Sequence, residues 1–158
     1  MRVPKIYLET SVFNFYFADD APDKRQDTLK LFEEIGAGQY VPYTSSYVMQ
    51  ELLLANEPKK SRMVDLIERY NITHQPADSE AERLAEIYVA EGIIPIKYST
   101  DAVHIAMATV TDLDFIVSFN FQHIVKRKTI IMTEAINARE GYKKVGIYSP
   151  TEVIESEE

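Results

Sequence analysis

The sequence contains no cysteine, no glycine-rich phosphate-binding loop and no apolar run of the roughly 18 to 20 residues that a membrane-spanning helix needs. Without cysteine, disulfides, thiolate metal sites and cysteine nucleophiles are excluded. A nucleophile elbow around a serine is absent as well, and the first residues lack the apolar segment of a secretory signal. We therefore expect a cytoplasmic protein with no membrane segment.

The composition is that of an ordinary globular protein with an acidic balance. Its 158 residues are 46% hydrophobic and 27% charged, and the formal net charge is −8. This length fits one domain spanning residues 1–158. The charge argues against a nucleic-acid binder with a strongly basic face; it reflects either solubility alone or a cluster of carboxylates that needs a cation. The acidic residues 155–158 are expected to form a flexible tail.

Strand and helix patterns alternate along the chain, without repeats or a linker. The predicted strands are 4–9, 40–44, 72–75, 115–118 and 145–148, and the predicted helices are 22–35, 47–55, 58–70, 79–89, 99–108 and 133–139. The predicted helix caps are Ser45 or Ser46, Ser79 in a capping box with Glu82, and Ser99 with Thr100. This alternation predicts an α/β fold with a mainly parallel sheet and helices on both faces.

Three carboxylates occupy related positions in this pattern. Glu9 ends the first strand, Glu51 lies in the helix after the second strand, and Asp101 lies in the first turn of its helix. Strand ends and helix starts meet on one side of a parallel sheet, where such folds bind ligands. Asp101 could simply complement its helix dipole and Glu51 could be solvated, but a glutamate between a strand and an apolar stretch is harder to explain.

These segments together resemble the PIN domain family, metal-dependent nucleases that include the VapC-type toxins of toxin–antitoxin pairs. Residues 6–12, 46–52, 101–108 and 114–124 are similar to the four acidic motifs of the family, in order. Residues 147–152 resemble its closing strand and turn. The resemblance covers essentially the whole chain, and it implies a three-layer α/β/α sandwich.

The resemblance also implies a function and a site. It implies that the chain is a Mg²⁺- or Mn²⁺-dependent endoribonuclease and the toxin of a type II toxin–antitoxin pair. It also implies an RNA substrate, a small antitoxin partner and a homodimeric state. Oxygen ligands suit these ions. The implied catalytic and metal-binding residues are Glu9, Glu51, Asp101 and Asn120. Thr10, Ser11 and Ser118 are expected to orient these ligands, or to act only as turn and cap residues.

Two positions depart from the family pattern. Glu9 and Asn120 stand where aspartate is usual, and asparagine keeps an oxygen ligand but loses the charge. Asp112 and Asp114 precede their strand and are not expected to replace Asn120. The departure at Asn120 leaves open a catalytically weak or inactive module that binds nucleic acid or protein. A DNA-directed nuclease is a third possibility.

Basic, aromatic and histidine residues add further candidates. The cluster Lys126, Arg127 and Lys128 is the best candidate for phosphate binding, and residues 59–62 form a second basic run; either could be only a solvated face. The aromatic residues in 13–17 could stack on bases or cover an apolar interface. His104, on the helix face of Asp101, is expected to be hydrogen-bonded and partly buried rather than a catalytic base, and His123 could help to close the fourth motif.

Overall fold

The structure, a computed structural model, describes residues 2–154, so the predicted tail at 155–158 lies outside the described residues. Five strands form one fully parallel sheet in the order β3-β2-β1-β4-β5. They are β1 (Lys5–Leu8), β2 (Val41–Ser45), β3 (Thr73–Gln75), β4 (Phe115–Val117) and β5 (Gly146–Tyr148). All five strands lie within two residues of their predicted bounds, and the predicted parallel α/β sheet is confirmed.

Helices cover both faces of this sheet and complete the α/β/α sandwich. They are α1 (Thr10–Phe15), α2 (Pro22–Gly36), α3 (Ser46–Leu52), α4 (Lys59–Arg69), α5 (Ser79–Ala90), α6 (Ser99–Val110), α7 (Arg127–Arg139) and α8 (Pro150–Val153), with a 3₁₀ turn at Ile96–Tyr98 before α6. Among residues 2–154, no helix combines the length and the apolar character needed to span a membrane.

The strand order reverses direction at β1. The chain adds β2 and β3 on one side of β1, and then returns to add β4 and β5 on the other side. Because parallel connections are right-handed, the helices of the two halves pack on opposite faces. This leaves a crevice beyond the carboxyl ends of β1 and β4, the position where open α/β sheets bind their ligands.

The central strands are buried on both sides. Ile6, Tyr7 and Leu8 of β1 are fully buried, as are Ile116 and Val117 of β4. Continuous burial is typical of parallel strands covered by two helical layers, and it explains the near-continuous apolar runs in the sequence. Tyr7 is the exception in this run, because its buried hydroxyl requires a polar partner inside the core.

Several predicted helix ends are wrong. Asp78, rather than Ser79, caps α5 by accepting hydrogen bonds from the backbone N–H groups of residues 80 and 81, while Ser45 does cap α3 as predicted. The N-cap residue of α6 is Tyr98, without a side-chain cap, so the predicted Ser99 and Thr100 caps do not form. In both helices the N-cap position lies one or two residues before the predicted caps.

Helix α8 was not predicted, although Ser149 and Glu152 form its capping box, and two further helical segments were missed as well. Helix α1 follows β1 directly, and its N-cap position is Glu9, which makes no side-chain cap. Helix α7 begins at Arg127, six residues before the predicted start, because buried Thr129 anchors its first turn through a hydrogen bond to the carbonyl of His123. Neither start carries a capping side chain, so neither shows the usual sequence signal.

Candidate active site

The four residues predicted to bind a metal all lie at the carboxyl edge of the sheet. Glu9 directly follows β1, and Asn120 lies three residues after β4. Glu51 belongs to α3, which begins where β2 ends, and Asp101 lies in the first turn of α6. The reversal of strand order therefore gathers residues from four distant segments of the chain in one crevice.

Glu9 connects the two central strands through hydrogen bonds. Glu9 is 5% exposed, and its Oε1 accepts hydrogen bonds from Ser11 Oγ at 2.5 Å and Ser118 Oγ at 2.6 Å. The Ser118 hydroxyl also accepts a hydrogen bond from the Asn120 backbone N–H at 2.9 Å. The predicted orienting residues Ser11 and Ser118 thus hold Glu9, and its other oxygen accepts no hydrogen bond from the described residues.

Glu51 is held by two donors. Its Oε1 lies 2.6 Å from Thr10 Oγ1 and 2.6 Å from His104 Nε2, while its Oε2 accepts no hydrogen bond from residues 2–154. The His104 ring is completely buried, and its Nδ1 lies 2.7 Å from the hydroxyl of Tyr7. The predicted partly buried, hydrogen-bonded histidine is therefore more deeply enclosed than expected. The contribution of Tyr7 was missed, although a polar tyrosine inside an apolar strand was its signal.

Asp101 and Asn120 share a histidine. Asp101 Oδ2 lies 3.1 Å from His123 Nδ1, and the backbone N–H of His123 donates to Asn120 Oδ1 at 3.0 Å. Asn120 also hydrogen-bonds Asp101, and the ring of Tyr98 packs on the His123 ring at a centroid distance of 4.1 Å. His123 therefore connects the third motif to the fourth, which agrees with the expected closure of this loop.

Burial and charge act on these groups in different directions. Burial raises the pKa of Glu9 and the pKa of Asp101 above their ordinary values, even though nearby His104 opposes the change. Burial also acts on Glu51, but the hydrogen bond and charge of His104, with the hydrogen bond from Thr10, lower the pKa of Glu51 overall. The His104 pKa is raised because the three carboxylates outweigh its burial.

Two of the predicted carboxylate ligands come close together in this site. One carboxylate oxygen of Glu9, one of Glu51 and one ring nitrogen of His104 lie within 4.8 Å of one another, and among residues 2–154 Asp101 is not part of this group. Within residues 2–154, no lysine or arginine forms an ion pair with Glu9, Glu51 or Asp101. Carboxylates with free oxygens and no basic side chain paired to them suit a divalent cation.

Two residues of the predicted phosphate-binding cluster line a cavity near His123. This cavity has a volume of about 470 Å³ and is lined by Lys126, Lys128 and His123, whose ring contacts Asp101, but none of the four predicted metal ligands lines it. Arg127 is the first residue of α7 and does not line that cavity. In the second basic run, Lys59 donates a hydrogen bond to the Asn14 side chain instead.

The aromatic residues in 13–17 have different surroundings: Phe13 lies in the core, and Phe15 packs against Phe119 in the fourth motif. Phe13 is fully buried against Phe32, so it does not form a base-stacking surface. Phe15 packs on Phe119 at 4.8 Å, and Phe119 contacts Phe121, whose side chain is 48% exposed beside Asn120.

Comparison with solved structures identifies the class of fold. The chain superposes on the toxin VapC20 of Mycobacterium tuberculosis, described as cleaving the sarcin–ricin loop, with a TM-score of 0.53. The match covers 70% of this chain and 86% of that chain at 17% sequence identity. No family model and no curated protein matches the sequence. The chain therefore has the PIN-like α/β/α fold of a VapC toxin, and at this identity the likeness concerns the fold alone.

Proposed function

We propose that this chain is a metal-dependent endoribonuclease that hydrolyses RNA phosphodiester bonds and serves as the toxin of a type II toxin–antitoxin pair. One observation carries the proposal. Glu9, Glu51, Asp101 and Asn120, which are far apart in sequence, all lie at the carboxyl edge of the sheet, and Glu9 and Glu51 have carboxylate oxygens within 4.8 Å of each other, in a fold shared with a toxin described as cleaving the sarcin–ricin loop. Their charge is left largely uncompensated within the described residues, which supports a bound cation.

The three carboxylates would hold Mg²⁺ or Mn²⁺, with Asn120 as a neutral fourth ligand. When bound, such an ion supplies Lewis acidity and lowers the pKa of a coordinated water near the scissile phosphate. Ser11 and Ser118 fix the Glu9 carboxylate, as their hydrogen bonds indicate. The oxygen of Glu9 that accepts no hydrogen bond is then oriented toward the crevice without reorganisation, which favours binding.

The substrate would be positioned by the cluster of Lys126, Arg127 and Lys128. An acidic protein repels an RNA backbone over most of its surface, so local cations are needed where the strand approaches the carboxylates. Lys126 and Lys128 meet this requirement, because their cavity is bounded by the same His123 that contacts Asp101. Lysines in this position would bind the phosphates on one side of the cleaved bond.

The partners proposed for this chain are a small antitoxin and a second copy of itself, acting in the cytoplasm. These proposals rest on the motif resemblance and on the fold shared with VapC20. A small open reading frame beside the gene, encoding a DNA-binding domain with a tail, would support the toxin role. Co-purification of the two products from a joint expression would test the antitoxin partner directly.

A second candidate function is a PIN-like module that binds RNA or protein without cutting it. Asn120 favours this alternative, because it brings no negative charge and its Oδ1 already accepts the backbone N–H of His123. That hydrogen bond occupies one of the two lone pairs of Oδ1, which leaves one lone pair for a metal.

Cleavage of labelled RNA separates the two functions. Wild type is incubated with single-stranded RNA in Mn²⁺, Mg²⁺ or EDTA, beside Asp101→Asn and the matched control Asp114→Asn. We expect metal-dependent cleavage by wild type and control, and a loss on the order of 10²–10³ in Asp101→Asn, comparable to removing one strong electrostatic contact to a transition state. Absence of both cleavage and calorimetric Mn²⁺ binding in wild type would contradict the enzyme. Parallel reactions with single-stranded and flapped DNA identify a DNA-directed nuclease.

A further inference from the structure

The side chains of Tyr7, Ser45, His104 and Glu51, with the backbone N–H of Val48, form a hydrogen-bonded circuit that is buried except at Glu51. The Tyr7 hydroxyl lies 2.7 Å from Ser45 Oγ and 2.7 Å from His104 Nδ1, and His104 Nε2 lies 2.6 Å from Glu51 Oε1. Ser45 Oγ in turn accepts the Val48 backbone N–H at 3.3 Å, at the start of the helix that carries Glu51. The circuit therefore joins β1, α6 and both ends of α3.

For a neutral His104 ring, the donors and acceptors of this circuit define one consistent arrangement, whereas in a protonated ring Nδ1 would donate to the Tyr7 hydroxyl instead. An ionised Glu51 can only accept, so His104 Nε2 carries a hydrogen. In a neutral ring Nδ1 then accepts, so the Tyr7 hydroxyl donates to it and receives a hydrogen bond from Ser45. Ser45 accepts from the Val48 N–H at the same time. Every polar hydrogen in the circuit has an acceptor, as expected for a fully buried network.

We infer that His104 is a positioning residue, oriented by Tyr7 and Ser45, which fixes the Glu51 carboxylate for metal binding. The inference rests on the proposed metal-dependent function and adds to it three residues outside the ligand set. Partners of ligating groups commonly set metal affinity in this way.

Glu51 needs such a partner because of its surroundings. Its side chain is 34% exposed, whereas Tyr7, Ser45 and His104 are completely buried. Repulsion from the nearby carboxylates of Glu9 and Asp101 favours rotamers of Glu51 that point to solvent. Without His104, the Thr10 hydroxyl would be the one remaining donor to Glu51 among residues 2–154.

The use of both ring nitrogens distinguishes a positioning role from direct ligation. His104 Nδ1 and Nε2 are each hydrogen-bonded within the protein, so neither is free for a metal in this arrangement. A bound ion would instead meet the Glu51 oxygen that accepts no hydrogen bond.

Calorimetric titration with Mn²⁺ tests the inference on Tyr7→Phe, His104→Gln, His104→Leu and the Tyr7→Phe/His104→Gln double variant. We expect Mn²⁺ affinity to fall about 10- to 100-fold in His104→Leu. Glutamine retains an N–H donor, so His104→Gln should recover part of that loss. Because Tyr7 acts through His104, the losses of Tyr7→Phe and His104→Gln should be less than additive. For cleavage, kcat at fixed Mn²⁺ should fall while KM for RNA stays within about twofold.

Tyr88→Phe is the matched control. Tyr88 is also fully buried, and its hydroxyl bonds Asn137 and Thr109 away from the crevice. This variant should lower the midpoint of thermal unfolding as Tyr7→Phe does, yet leave Mn²⁺ affinity unchanged.

Three results would overturn the inference. If wild type binds Mn²⁺ and cleaves RNA while Tyr7→Phe and His104→Leu keep wild-type affinity, the circuit is only structural and the proposed function stands. If electron spin echo spectra of bound Mn²⁺ show nitrogen coupling that disappears in His104→Gln, His104 is itself a ligand. If wild type binds no Mn²⁺, the metal-dependent function fails together with the positioning role.

Discussion

Two aspartates at opposite edges of the sheet show how similar burial leads to different roles. Asp101 at the carboxyl edge and Asp114 at the amino edge have side chains 15% and 17% exposed. Asp114 accepts two hydrogen bonds from Arg2, at 2.7 and 3.0 Å, and a third from the Lys5 backbone N–H at 2.7 Å. Lys143 Nζ lies 3.8 Å away.

Asp101 lies in the opposite electrostatic environment. Its partners are His123 and Asn120, and its neighbour Glu51 is another carboxylate. Burial acts on both aspartates, but Arg2 and the backbone donor lower the pKa of Asp114 overall, whereas the pKa of Asp101 remains raised. At similar exposure, the partners of a carboxylate therefore set the direction of its pKa shift.

The largest difference between Asp101 and Asp114 is expected in the effect of metal on stability. Adding Mn²⁺ at about 100 times its dissociation constant should raise the free energy of unfolding of wild type by about 2.7 kcal/mol, because the ion binds only the folded site. Asp101→Asn should abolish this gain, and Asp114→Asn should retain it. Chemical denaturation with and without Mn²⁺ measures both; an equal gain in all three proteins would place the metal outside the crevice.

Without metal, the two substitutions should have different effects on stability. Asp114→Asn removes the charge that pairs with Arg2 and should lower the free energy of unfolding only modestly, because Arg2 is largely exposed and screened. Asp101→Asn removes a carboxylate from a repulsive cluster and should leave stability unchanged or slightly higher. Urea denaturation in EDTA compares them. Equal losses in both variants would show that Asp101 is charge-compensated in solution.

The smallest effect is expected in the pH dependence. A raised pKa means that folded Asp101 binds its proton more tightly than the unfolded chain, whose ordinary value is 3.8. The stability from this group is fully present below pH 3.8 and is lost as pH rises through the folded pKa. Asp114 has a lowered pKa, so its contribution is present above pH 3.8 and is lost as pH falls through the folded pKa.

Urea denaturation in EDTA from pH 3 to 7 measures this difference in pH dependence between Asp101 and Asp114. Each difference from wild type should change by less than about 1.36 kcal/mol per pH unit. Replacing Asp101 with asparagine should remove part of any loss of stability toward neutrality, and Asp114→Asn should remove part of the loss toward acid. Parallel profiles for both variants would contradict the opposite pKa shifts.

The fold was largely predictable because its signals are local. Continuous apolar runs in β1 and β4, and apolar periodicity in α2 and α4, are repeated in the structure with small changes of bounds. Helices α1 and the first turns of α7 were not predictable, since their N-cap residues make no side-chain cap and tertiary contacts stabilise their starts.

The site divides in the same way. Glu9, Glu51, Asp101 and Asn120 could be selected through the resemblance of four segments to the motifs of the PIN family, and their position at one edge of the sheet follows from strand ends meeting there. The link from Tyr7 through His104 to Glu51 could not, because a buried hydroxyl in a strand does not specify which partner 97 residues away it meets.

By itself, the sequence determined the order of strands and helices, the parallel sheet and the acidic residues at its carboxyl edge, because periodicity and residue type act over short stretches of chain. Only the tertiary structure decided which carboxylates have a basic side chain as a partner. That outcome depends on distances between segments far apart in sequence: Arg2 reaches Asp114 across the amino edge, while His104 reaches Glu51 across the crevice. Coulombic and hydrogen-bonding energies fall steeply with distance, so they are fixed by packing rather than by spacing along the chain.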